Sequence, residues 1–302
     1  MGTANPITTQ TTFSPELVTE VFSKVKGHSS LARLSRQEGV PFVGKDIVTL
    51  SMDGEVSIVG ESQPKPDGKA SNGLVTVKPV KVVYQKRISD EFLNCSEEKQ
   101  LDYLEKFSEG LSKKVARGLD IMAFMGINPA SKTESAIIGD NCFAKKMSQS
   151  ARVNYNTANP DICIDEAIAL VEDDEYVCNG LAMSPKMRGD ISKMKTDSGS
   201  RVYPDFAFGG SPDKLGSCLL DVNSTLAYNG SQLKAVVGDF EEAFTWGMCE
   251  DVKFEVIEYG DPDGQGTDLK NVGQVCLRAE AYIAWGILAE EAFALVVEGG
   301  SV

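Results

Sequence analysis

The 302-residue sequence contains one histidine, His28, and that scarcity removes several chemistries at once. A Ser-His-Asp or Cys-His nucleophilic machine needs an imidazole beside its nucleophile. His28 follows Gly27 at the end of a short amphipathic segment, the place of a helix-end or surface residue. The seven cysteines, at positions 95, 142, 163, 178, 218, 249 and 276, are never closer than 15 residues. With no CxxC pair and one histidine, neither a structural zinc site nor a disulfide framework is supported, and buried free thiols in a reducing compartment are expected.

A targeting segment and a long apolar run are missing too. The opening residues, MGTANPITTQTTFSP, carry neither the basic nor the apolar region of a signal peptide, and no run of about 18 apolar residues follows. The expectation is a soluble chain made in the cytosol, with no membrane partner. Basic charge is in deficit, with 30 Lys and Arg against 44 Asp and Glu, a net charge of −14. No basic patch with interleaved aromatics exists, which argues against sequence-specific nucleic-acid recognition. The imbalance is local: residues 1–126 hold 16 basic and 16 acidic side chains, residues 127–302 hold 14 and 28.

Nucleotide and metal motifs fail on spacing. No GxxxxGK[ST] occurs, and Gly264-Gln265-Gly266 begins a GxGxxG in which Leu269 stands at the third glycine. Asp261, Asp263 and Asp268 suggest a calcium loop, but Gly264 comes early for an EF-hand and no glutamate closes it. A hairpin turn is the main expectation there, and a weak ion site between subunits the lesser one. Accordingly no catalytic, cofactor-binding or metal-ligating residue is assigned, and no cofactor. Lys65 and Lys69 are expected on a ribbon tip as solvated or salt-bridged groups.

What is present is a run of well-marked elements, enough for about two domains or one large one. Ser14-Pro15 opens a short helix ending at Gly27, behind an extended Thr-rich arm. Residues 45–88 read as a long hairpin, with one strand near Ile47 to Met52, a polar tip, and a second strand from Leu74 to Ile88 that carries Pro79. Asn94 or Ser96 then caps a helix over Glu97 to Met125, with Leu101, Leu104, Phe107, Leu111, Val115, Leu119 and Met122 on one stripe and charges opposite. At 1.5 Å per residue this helix is roughly 44 Å long, a structural spine.

Beyond Gly126 the signals alternate. Asp165 is expected to cap a helix over Glu166 to Val171, Leu181 to Met183 to form a buried strand, and Ser184-Pro185 to open a helix over Lys186 to Lys195, together a small α/β region. Val252 to Val256 and Gln274 to Ile283 alternate as two antiparallel strands around the acidic turn. Ala289 to Val297 closes the chain as a helical turn or a strand.

This order of parts resembles the HK97-type major capsid proteins of tailed bacteriophages over roughly residues 13–297. The segments that carry the likeness are Gln85 to Leu93 entering the spine, Gly118-Leu119-Asp120 with Gly126, Val237 to Ala243, and Val275 to Glu280 with Glu291 to Leu295. The resemblance implies an α+β fold with an N-terminal arm (1–44), an extended E-loop ribbon (45–88), a P-domain (89–130 and 248–284) and an A-domain (131–247 and 285–302). It implies a virion protein, not an enzyme, that assembles with itself into hexamers and pentamers around DNA without reading its sequence. Scaffolding, portal and decoration proteins would be further partners, with Met1 pointing to a separate scaffold. Two rival readings remain: an encapsulin-type shell around cargo protein, and an α/β enzyme using acids between residues 161 and 268.

Overall fold

A computed structural model describes residues 29–300, except 54–55, 62, 64, 66–68 and 250–251. The arm, His28 and the helix ending at Gly27 lie outside these residues. The chain enters through α1 (Ser30–Leu34), continues into the ribbon strands β1 (Lys45–Asp53) and β2 (Lys69–Val77), and returns as β3 (Val80–Ser89). The spine helix α2 (Glu97–Met125) follows, then α3 (Phe143–Lys146), β4 (Arg152–Asn154), α4 (Pro160–Asp173), β5 (Gly180–Met183) and α5 (Pro185–Ile191). The remaining strands are β6 (Lys214–Leu215), β7 (Cys218–Val222), β8 (Leu233–Gly238), β9 (Phe244–Met248), β10 (Lys253–Ile257), β11 (Gln274–Ile287) and β12 (Phe293–Val297).

The spine has the expected ends. Ser96 is its N-cap, and Gly126 closes it in the left-handed conformation at φ 69°, donating its N–H to the Met122 carbonyl. A side chain at Gly126 would come within 2.7 Å of Cys142 Sγ, so both backbone and space demand glycine. The helix is not amphipathic along its whole length. From Leu111 onward nearly every residue is buried, including Ala116, Ile121 and Phe124, whereas the N-terminal half is largely exposed. Half of this helix is a core element and half is a strut.

Three sheets surround it. β1 and β2 pair antiparallel, with Lys45 opposite Val77, and form a ribbon of their own. The second sheet is built on β11, whose residues Gln274 to Ile283 pair with β3 along one edge. β10 and β9 share the other edge, Lys253 opposite Glu280 and Met248 opposite Ile283. The third sheet runs β4-β12-β8-β5-β7-β6 and mixes parallel and antiparallel pairs. Both of its faces are covered: Leu181, Ala235, Val237 and Val296 pack with Ile164 and Ala167 of α4, while Ala182, Val236 and Leu295 face Phe124, Phe143 and Phe240.

Several sequence expectations need correction. The strand expected from Leu74 to Ile88 is broken at Lys78-Pro79, because Pro79 offers no N–H to a ladder. Its first part stays in the ribbon, and its second part, β3, belongs to the β11 sheet, so the ribbon proper ends at Val77. The helix expected from Asp165 begins earlier, with Asn159 as N-cap and Pro160 at its first position. α5 stops at Ile191 and not at Lys195. Ala289 to Val297 resolves as strand β12. The thiols are not uniformly buried, since Cys95 is exposed and Cys249 half-buried. No helix among the described residues is long and apolar enough to cross a membrane.

Candidate assembly surfaces

Two places in the fold present groups that the subunit's own core does not need, and a third is a buried polar junction where the arm joins the spine. On the ribbon, Val48 and Leu74 stand directly opposite each other across β1 and β2 and are 68% and 63% exposed. Toward the tip, Val56 and Ile58 are almost wholly in water. Among the described residues, only the base of the ribbon is anchored: Val77 is fully buried, and a side chain at Gly286 of β11 would meet Val77 Cγ2 at 2.7 Å. A two-stranded ribbon with apolar side chains in water is marginal alone and gains by lying on another surface.

The second surface is the acidic loop between β10 and β11. Arg87, presented by β3, spans it: Nε donates to Asp263 Oδ2 at 2.8 Å, Nη2 to Asp261 Oδ1 at 2.6 Å and also to Asp263 Oδ1, and Nη1 to the Thr267 carbonyl at 3.0 Å. The Arg87 guanidinium holds the Asp263 carboxyl below its ordinary range. Asp261 also accepts from the Gln265 and Gly266 N–H groups, and Asp268 from those of Gly260 and Lys270. Gln85 Nε2 donates to the Pro262 carbonyl at 3.1 Å, and Gln85 Oε1 accepts from Arg278. The three aspartates singled out as an ion loop thus close the turn. The cation that two of them face is a guanidinium.

The third place is the root of the arm. Asp120, on the buried half of α2, accepts from Ser29 Oγ (2.5 Å), Ser30 N (3.0 Å), Leu31 N (3.2 Å), Thr225 Oγ1 (3.1 Å) and Asn223 Nδ2 (3.2 Å). Burial pushes its carboxyl up to about 6 although every neighbour donates to it. Asp221 continues the junction, accepting from Ser30 Oγ and from Arg33, whose guanidinium also reaches Asp213. Past α1 the chain crosses the β9 edge, where Glu38 N–H donates to the Trp246 carbonyl at 2.8 Å. Gly247 permits that crossing, because a Cβ there would lie 1.9 Å from the Glu38 carbonyl oxygen.

Sequence reasoning marked the acidic turn but missed its partner Arg87, and it missed the Asp120 junction. One signal was available: Asp120 is the sole charge in Gly118 to Gly126, a stretch otherwise apolar or glycine, and a charge so placed is buried and needs partners. Lys65, expected at the ribbon tip, is exposed. The side chain of Lys69 lies outside the described residues.

Comparison with known proteins places almost the whole chain. A model of the phage capsid family matches residues 10–297. A solved chain from Mycobacterium phage Ogopogo is 31% identical, with a TM-score of 0.76 over 90% of this chain and 92% of that one. One from Gordonia phage Cozz is 21% identical at a TM-score of 0.73, covering 90% and 87%. A capsid of a native GTA particle is 16% identical at 0.64, covering 89% of each. No match was found among curated proteins. A chain matched over almost its whole length, with spine, ribbon and two further sheets in this arrangement, belongs to the phage capsid family and has its HK97-like fold.

Proposed function

We propose that this protein is the major capsid subunit of a phage head, assembling into hexamers and pentamers that close into an icosahedral shell around a DNA genome. Family and fold are those of shell-forming structural proteins, and self-association follows from both. The likeness to phage and GTA capsids favours a phage-type head over a cargo compartment, and a structural role over an enzyme. The observation that carries the reading is the ribbon, with its apolar Val48–Leu74 pair in water while its base packs on its own subunit. In a shell that pair is buried on a neighbouring copy.

The parts take these roles. Residues 1–44 are the arm and 45–77 the E-loop. Residues 78–130 and 248–284 form the P-domain, with β3 taken from the ribbon span because it pairs with β11. Residues 131–247 and 285–302 form the A-domain around the six-stranded sheet. Subunits assemble in the host cytoplasm with scaffolding and portal proteins, and decoration proteins bind the finished shell. The acidic excess after residue 126 disfavours adhesion of DNA to that part of the subunit. Deleting residues 60–73 tests the reading: a folded subunit that no longer forms particles in negative-stain images is expected, and normal particles would refute the ribbon's role.

A further inference from the structure

Two buried cysteines meet inside the six-stranded sheet. Cys178 lies two residues before β5, Cys218 opens β7, and these strands are parallel neighbours with Gly180 opposite Leu219. Their sulfurs are 2.7 Å apart, and the side chains are walled by Val171, Leu220 and Val237. A disulfide bond is about 2.05 Å long, so the two sulfurs need to close by well under 1 Å. The pair is also chemically unequal. The contact with Cys178 and the neighbouring Ser217 lower the Cys218 thiol, while the same contact and burial push Cys178 up.

We propose that Cys178 and Cys218 are an oxidation site, reduced while the subunit is made and joined as a disulfide when the particle meets peroxide outside the cell. The Cys218 thiolate attacks one oxygen of hydrogen peroxide, breaking the O–O bond to give a sulfenic acid and hydroxide, which takes up a proton to become water. Cys178 then attacks the Cys218 sulfur; the S–O bond breaks, and the departing oxygen leaves as a second water, carrying the Cys178 proton. Both sulfurs are oxidised, both peroxide oxygens are reduced, and no other reagent is needed. The bond spans 40 residues, and the ring it closes contains α5 and the turn at 204–209 with its exposed Phe208. Closing a ring of that size lowers the unfolded fraction roughly a hundredfold or more.

The test uses the full-length protein carrying Cys95→Ser, which removes the exposed thiol. After exposure to hydrogen peroxide the protein is denatured, alkylated and analysed by intact mass and peptide mapping. The expected result is a loss of two hydrogens, two fewer alkylated thiols, and one bridged peptide pair joining Cys178 to Cys218 that dithiothreitol separates. The oxidised protein unfolds at a higher temperature than the reduced one, and Cys178→Ala or Cys218→Ala removes the bridged peptide and that difference together. All thiols still alkylated, or oxygen added at one cysteine with no bridge, overturns the proposal, and neither result depends on the Cys178→Ala or Cys218→Ala variant folding.

Discussion

Replacing Asp120 with asparagine should change how stability depends on pH in a calculable way. In the folded subunit the carboxyl titrates near 6, raised from 3.8 by burial, because the cost of a charge away from water outweighs five donated hydrogen bonds. A raised carboxyl binds its proton more tightly in the folded state. Its contribution to stability is therefore fully present below 3.8 and lost as pH rises through 6. The full span is about 3 kcal/mol, of which roughly half falls between pH 7.5 and pH 5. The remaining acids titrate in both proteins, so the difference between wild type and Asp120→Asn isolates this group. The two tryptophans, Trp246 and Trp285, are both fully buried and report urea unfolding by fluorescence. Wild type should gain about 1–2 kcal/mol on the variant between pH 7.5 and 5, with parallel slopes against urea. Wild type losing ground on acidification would refute the reasoning. It would mean that Ser29, Ser30, Leu31, Asn223 and Thr225 hold the carboxylate below its ordinary range.

Two other substitutions separate the surfaces from the core. Arg87→Ala leaves Asp261 and Asp263 facing each other without their cation, so amide exchange across residues 258–268 should accelerate severalfold and particle yield should fall while the tryptophan signal stays native; unchanged exchange would show that the aspartate turns hold the loop unaided. Phe143→Ala empties the centre of an aromatic cluster whose ring centroids lie 5.0 Å (Phe293), 5.7 Å (Phe124 and Phe244) and 6.2 Å (Phe240) away, and should cost about 3–5 kcal/mol in urea unfolding, with a loss under about 1 kcal/mol counting against the packing described.

What could be read from the sequence depended on whether a signal was local. The spine was bounded correctly because Ser96, the stripe and Gly126 all lie within one element. The alternation of β11 was visible because one face is buried and the other partly open. β8 and β9 escaped notice because every residue in Leu233–Gly238 and Phe244–Met248 is buried, and a strand covered on both faces shows no period of two. The family likeness came from the order of elements, which survives errors at their ends. The burial of Asp120 was legible from its isolation, but its partners were not: they come from residues 29–31 and 223–225, about a hundred positions away on either side, and no periodicity encodes such a meeting. Arg87 was within a segment already singled out, but its partners lie some 175 residues later.

The length of β11 bears on how such a shell could move. Its 14 residues make a rod of roughly 46 Å, and the first glycine along it is Gly286, one residue from its end. Ten of those residues are stitched to β3, and the far end carries Trp285 into the main core cluster. With no hinge in between, a push on the acidic loop from a neighbouring subunit reaches Trp285 as a tilt of the whole strand. A head that changes size would then move this strand as a rigid bar, with the break between β2 and β3 at Lys78-Pro79 as one place where the ribbon can turn against it.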